Sequence, residues 1–392
     1  MPLDLSSLAG QTRAAAAAAR DAEADLAARV SAAVDQLRRL DWERVRARVE
    51  LRANPPWLAA LPLGPLAAAI PTPSPPADYV VVATDGSHLD HDHHRALPCW
   101  LLNIGRAVIR YGADPAARLD TLSQLGHTPD DLYFVHDERR ARVQGQILNV
   151  RRQVAEMAAL ADLCQANPGA VALFDGTLIL TSISRAVQPE PTLFLEEYLT
   201  HLGRIRASGA VVASYISRPS ATDVVSALRL GCCPLDECDR ACRIGLDTAG
   251  FARTCAGLAD VLDRALFEEA GLQPGQRTGL WRSTWPTSLR HYGDHAVHFF
   301  YYDAGPELAR IEVPGWVAET PAALDRLHAA LVAQSQRGDD GYPRVLIEAH
   351  HKAVITAADR RAFEALLDDA LAGRGYASLP SAKERAKRRR AL

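Results

Sequence analysis

The sequence lacks any apolar run long and unbroken enough to cross a bilayer. Its N-terminus, MPLDLSSLAGQTRAAAAAAR, has an alanine run but no basic start followed by a leucine-rich segment, so no signal peptide is expected. No internal repeat is present, which sets aside solenoids and propellers. A strong charge of either sign is also missing. The formal net charge is only −3 over 392 residues, so the whole chain does not advertise a polyanionic partner. The seven cysteines form no paired short spacings of the zinc-ribbon kind. With no secretory signal, free thiols and a cytoplasmic location are the expectation.

What is present is a 48% apolar, 23% charged composition, ordinary for a globular protein. Thr12–Arg52 is rich in Ala, Leu, Arg and Glu without Pro or Gly, which predicts a helical N-terminal segment, residues 1–54. Eight prolines between Pro55 and Pro76 mark an irregular linker, 55–77. The main domain is then expected over 78–375. A basic tail follows over 376–392, whose last ten residues, KERAKRRRAL, carry six Lys/Arg and one Glu. Lys387, Arg388 and Arg389 in it suit a phosphate backbone, or simply a solvated tail.

Within the main domain the pattern predicts strands at Tyr79–Thr84, Cys99–Tyr111 and Asp131–Val135. A long amphipathic helix follows over Glu138–Gln165, then a strand at Ala170–Phe174, a helix near Leu193–Ala207 and a strand at Ala210–Ile216. Val297 lies in an expected hairpin, His295–Tyr302 with Ala309–Val313, and Tyr342–Ala353 and Ala357–Ala372 read as closing helices. Three strands, a helix, a strand, a helix and a strand is the element order of an α/β, ribonuclease H-like mixed sheet flanked by helices, here with an N-terminal helical extension.

One local design occurs twice. VVVATDGS (Val80–Ser87) and VALFDGT (Val171–Thr177) each run from an apolar strand into Asp, Gly and a hydroxyl residue. An aspartate where a buried strand ends points into the crevice beyond the sheet, and the glycine permits a tight turn. If the two strands are neighbours, Asp85 and Asp175 converge, and such carboxylates repel unless a cation lies between them. Their oxygens suit Mn²⁺ or Mg²⁺. Taken singly, Asp-Gly-Ser/Thr is also ordinary turn chemistry.

These pieces, with CWLLNIGRAVIRYG (Cys99–Gly112), RRQVAEMAALADL (Arg151–Leu163), SYISRP (Ser214–Pro219), ARIEVPGWVA (Ala309–Ala318) and YPRVLIEAHHKAVI (Tyr342–Ile355), resemble the NurA nuclease family. The resemblance implies a manganese-dependent deoxyribonuclease with a ribonuclease H-like core. It also implies a homodimer working with a HerA-type hexameric DNA translocase in DNA end processing, as a single-strand endonuclease and 5′→3′ exonuclease. By position it assigns metal binding and catalysis to Asp85, Glu156, Asp175 and His350, with Asp162 and Glu138 as alternatives to Glu156. It suggests DNA contacts at Tyr215 and Arg218. Helical angle alone sets Glu156 beside Asn149 and Arg152, on what reads as a solvated face. The four histidines His88, His91, His93 and His94, and the thiols Cys233, Cys238 and Cys242, are candidate zinc ligands of incomplete pattern, otherwise a DNA-facing loop and free cysteines. A NurA-like scaffold that docks on a translocase without cutting is the alternative function.

Overall fold

The structure is a computed structural model; it describes residues 4–51, 58–90, 97–136, 139–180, 192–233 and 255–373. In chain order the principal elements are α1 (Leu5–Arg39), α2 (Trp42–Leu51), β1 (Tyr79–Leu89), β2 (Trp100–Tyr111), β3 (Ala116–Gly126), β4 (Tyr133–His136), β5 (Arg139–Arg142), α3 (Gln146–Ala166) and β6 (Val171–Asp175). There follow α4 (Thr192–Ala207), β7 (Val211–Ser217), α5 (Asp223–Cys232), α6 (Asp263–Ala270), β8 (Val297–Asp303), β9 (Leu308–Pro314), α7 (Pro321–Ser335), α8 (Arg344–Ala353) and α9 (Ala357–Ala372). Contacts divide the chain into two units, Ser74–Ser214 with Ala329–Leu392, and Met1–Pro73 with Tyr215–His328.

The first unit carries the candidate site. Its strands lie in the order β3-β2-β1-β6-β7. β1, β2 and β3 are antiparallel neighbours, and β1 turns to a parallel partner in β6. With α3 before β6 and α4 after it, this is the ribonuclease H-like α/β arrangement expected from the sequence. Its apolar content explains it: Val81, Val82, Ala83, Ala172 and Leu173 are buried on both faces of the central strands. α3 packs on β1 and on α4, and α8 packs on β1 and β2.

Three local expectations are corrected. The third sheet strand is Ala116–Gly126, not Asp131–Val135. The latter region instead ends a short capped turn, and Tyr133–His136 pairs with Arg139–Arg142 in a separate hairpin. The long helix therefore starts at Gln146 rather than Glu138. Third, β1 does not end at Asp85. It continues to Leu89, paired with β2 through Asp85↔Gly105 and Leu89↔Leu101. Only the parallel pairing with β6 stops there, at Thr84↔Phe174.

The second unit buries Val30, Val34 and Leu37 of α1 and Val45 and Val49 of α2 against α5, α6, Trp281 and Phe299. The expected hairpin is present, β8 pairing β9 from Val297↔Pro314 to Asp303↔Leu308. At its heart, Arg310 donates to Asp223 at 2.9 Å and Glu312 at 3.0 Å and lies 3.6 Å from the Phe299 ring centre. Asp263 accepts the first free N–H groups of α5, from Val224 and Val225, and the Tyr301 hydroxyl at 2.8 Å. Among the described residues no helix is long and apolar enough to cross a membrane.

Candidate active site

Side chains alternate along β1, and that alternation organises the site. Thr84 donates its hydroxyl to the Glu156 main-chain oxygen at 3.1 Å, so it faces α3. Asp85 faces α8, where its Oδ2 accepts from His350 Nδ1 at 2.7 Å; a carboxylate oxygen can only accept, which puts the proton on Nδ1. Its Oδ1 accepts the Gly86 N–H at 2.8 Å. Gly86 faces α3 again, and there the Glu156 carboxylate fills the space a side chain would occupy: a Cβ on Gly86 would collide with it. Asp85 and Glu156 thus approach one glycine from opposite faces of the strand.

Gly105, opposite Asp85 on β2, has a similar function. A Cβ there would strike the α8 backbone at Ala349 and Ala353, so its absence lets α8 lie close and bring His350 to Asp85. The α8 C-terminus is held on the sheet by Ser87 Oγ and by Asn103 Nδ2, the latter 2.8 Å from the Ala353 oxygen. Asp175 ends β6, and Gly176 follows with φ of 91°, a conformation suited to glycine. The Tyr342 hydroxyl, just ahead of α8, donates to Asp175. One C-terminal segment therefore reaches both aspartates.

The acids also sense one another. Burial raises the Glu156 carboxyl to about 8; the Arg152 guanidinium opposes the rise, and Asp85 and Asp175 add to it. Asp175, at the rim with its tip exposed, is raised first by the protein that withdraws water around it; Asp85 adds to the rise, and the Tyr342 hydroxyl opposes it.

Glu156 is 3% exposed, so the solvated helical face expected for it is wrong. The apolar stripe of α3 marks one covered side. Contact with both the sheet and α4 covers another, and a single angle count cannot register two coverings. Of the alternatives, Asp162 is half exposed and pairs with Arg204, and Glu138 lies outside the described residues. Arg152, Tyr342 and Gly105 went unassigned in the sequence, and Gly86, read there as a turn glycine, instead stays extended within β1. Only Arg152 left a trace there, as a cation four residues before Glu156.

The remaining candidates sit elsewhere. Tyr215 is fully buried and donates to Glu307 at 3.0 Å, so its ring is not a surface platform. Arg218, at φ 43°, exposes 72% of its side chain and lies 4.0 Å from the same Glu307. His88 is half-buried, 3.9 Å from Asp90, and burial lowers its pKa. His91, His93, His94, Cys238, Cys242, Lys387, Arg388 and Arg389 lie outside the described residues. Cys233 is buried and free.

Three carboxylates are hard oxygen donors of the type that hold Mn²⁺ or Mg²⁺, and an imidazole is a borderline nitrogen donor that can complete such a set, so the residues fit such an ion chemically. Among the described residues no three His, Cys, Asp or Glu already converge as a cation cage. Arg152 engages Glu156, and His350 engages Asp85.

The family match over most of this ribonuclease H-like sheet marks a nuclease-type protein. Residues 79–355 match the NurA domain, and the chain belongs to the NurA family. A crystal structure of NurA with manganese is similar over 76% of this chain and 91% of that one, at 11% identity and a TM-score of 0.40. LC9-RNase H1, a type 1 RNase H with the type 2 active-site motif, is similar over 41% of this chain and 71% of that one, at 14% identity and a TM-score of 0.22. No curated protein matches the chain.

Proposed function

We propose that this protein is a Mn²⁺- or Mg²⁺-dependent deoxyribonuclease, cutting single-stranded DNA internally and from 5′ ends. The observation that carries the reading is the placement of acids from separate elements about Gly86: Asp85 bonds its N–H and His350, and the Glu156 carboxylate lies where a Gly86 side chain would be. Asp85, Glu156, Asp175 and His350 would hold the cation. When bound there, a divalent ion activates water and stabilises negative charge on a phosphodiester. The protein's own contribution is orientation. Asp85 fixes the His350 ring through Nδ1 and leaves Nε2 as the ring atom that would meet the cation. Tyr342 and the Gly176 N–H aim Asp175.

Arg218, exposed beside Glu307, is suited to a DNA phosphate, with Tyr215 supporting Glu307 from beneath. Lys387, Arg388 and Arg389 would add non-specific phosphate contacts. On the family's pattern the protein acts in the cytoplasm as a homodimer with a HerA-type ATPase in DNA end processing.

A non-cleaving scaffold for such a translocase is the second reading, favoured by the engagement of Glu156 with Arg152. Labelled single-stranded DNA incubated with Mn²⁺ separates the two. Cleavage that Asp175→Asn abolishes supports the nuclease; DNA left intact by the folded wild type supports the scaffold.

A further inference from the structure

Arg152 stands one helical turn before Glu156 on α3, and its guanidinium is fixed from three directions. Nη1 donates to the Gly86 main-chain oxygen at 3.0 Å and pairs with Glu156 Oε1. Nη2 donates to Asn149 Oδ1 at 3.0 Å, one turn further back on the helix. Only 19% of the Arg152 side chain and 4% of the Glu156 side chain are exposed. A carboxyl this buried gives up its proton only against a partner, and a planar fork with several donors can serve it while staying tied to strand and helix at once. The pairing uses Oε1, so Oε2 is the oxygen left for another ligand. Two functions of Arg152 are then conceivable: it competes with a cation for Glu156, or it aims Glu156 at one. The anchor on Gly86 decides between them. A competitor must leave for the ion to enter, whereas Arg152 has two bonds besides the one to Glu156, to the main chain of β1 and to its own helix.

Resting on the cation-site reading above, we propose that Arg152 is a positioning residue that locks the Glu156 carboxylate against Gly86 and so presents its second oxygen to a divalent cation. Outer partners of metal-ligating side chains typically carry 10- to 100-fold of metal affinity.

The test uses the full-length protein and Mn²⁺ alone, without DNA, reading free Mn²⁺ by electron paramagnetic resonance. Arg152→Gln is expected to weaken Mn²⁺ binding about 10- to 100-fold. Arg152→Lys, which keeps the charge but not the fork, recovers part of the loss. A second measurement needs no metal. In chelator, Arg152→Gln lowers the melting temperature of the wild type but has little effect in a Glu156→Gln background, the mark of direct coupling. Unchanged or tighter Mn²⁺ binding by Arg152→Gln, or additive melting shifts, overturns the proposal while leaving the cation site intact. A wild type that binds no Mn²⁺ overturns the site itself, and the positioning role with it.

Discussion

Each unit contains an arginine paired with carboxylates, Arg310 with Asp223 and Glu312 and Arg152 with Glu156, and the two clusters differ in closure. In the second unit, Arg310, Glu312 and Asp263 are sealed, with Asp223 half-buried beside them. Asp263 is wholly buried, and Arg310 is only 6% exposed on its side chain. The donors around them come from a helix N-terminus, a tyrosine and a strand neighbour. In the first unit, Arg152, Glu156, Asp85 and Asp175 open to solvent at one end, where His350 exposes 61% of its side chain. A sealed cluster can only hold elements together. An open one can admit an ion and a phosphodiester. The lesson is that buried charge by itself does not mark a reactive site; the presence of an exit does.

The largest expected break in this comparison is at the open cluster. Asp85→Asn or Asp175→Asn should reduce Mn²⁺-dependent cleavage by about a thousandfold or more, on the scale of losing a principal catalytic group, with the melting temperature nearly unchanged. Full activity in either folded variant ends the nuclease reading. At the sealed cluster the effects should be inverted. Arg310→Met strands the buried Glu312 carboxylate and the half-buried Asp223 and should cost about 3–5 kcal/mol in denaturant unfolding, since one partner of a buried pair is removed. Cleavage per folded molecule should stay the same.

A smaller effect separates the clusters by pH. The Glu156 carboxyl, raised from 4.5 to about 8 in the fold, binds a proton more tightly there than in the unfolded chain. Its contribution to stability is therefore full below about pH 4.5 and is lost as pH rises to about 8. In chelator, wild-type melting should decline across that window by the equivalent of a few kcal/mol, and Glu156→Gln should flatten this part of the profile. Parallel profiles for the two proteins would contradict the buried acid. The smallest effect concerns the tail. Deleting Lys383–Leu392 should reduce the salt slope of single-stranded DNA binding by about 0.7 log units per lost phosphate contact, and an unaltered slope would show that the tail does not touch DNA.

The central strands were legible because burial on both faces leaves a continuous apolar run, as in Tyr79–Thr84 and Ala170–Phe174. The edge strand Ala116–Gly126 was not. Its side chains are mostly exposed, so AARLDTLSQLG carries no apolar alternation, and only its backbone pairing with β2 makes it a strand. The two Asp-Gly motifs looked alike and differ because of their neighbours. Gly176 turns the chain, while Gly86 stays extended because β2 pairs beyond it. His350 and Glu156 came from family resemblance rather than from periodicity, since a histidine or a glutamate on a helix has no pattern that distinguishes a ligand from a surface group.

The bare α-carbon at position 86 is what lets the Glu156 carboxylate lie against β1. Adding one methyl group there would displace that carboxylate while leaving every acid in the sequence. Among relatives, an intact acidic set would then be poor evidence of a working nuclease unless the residue after the first aspartate is also read.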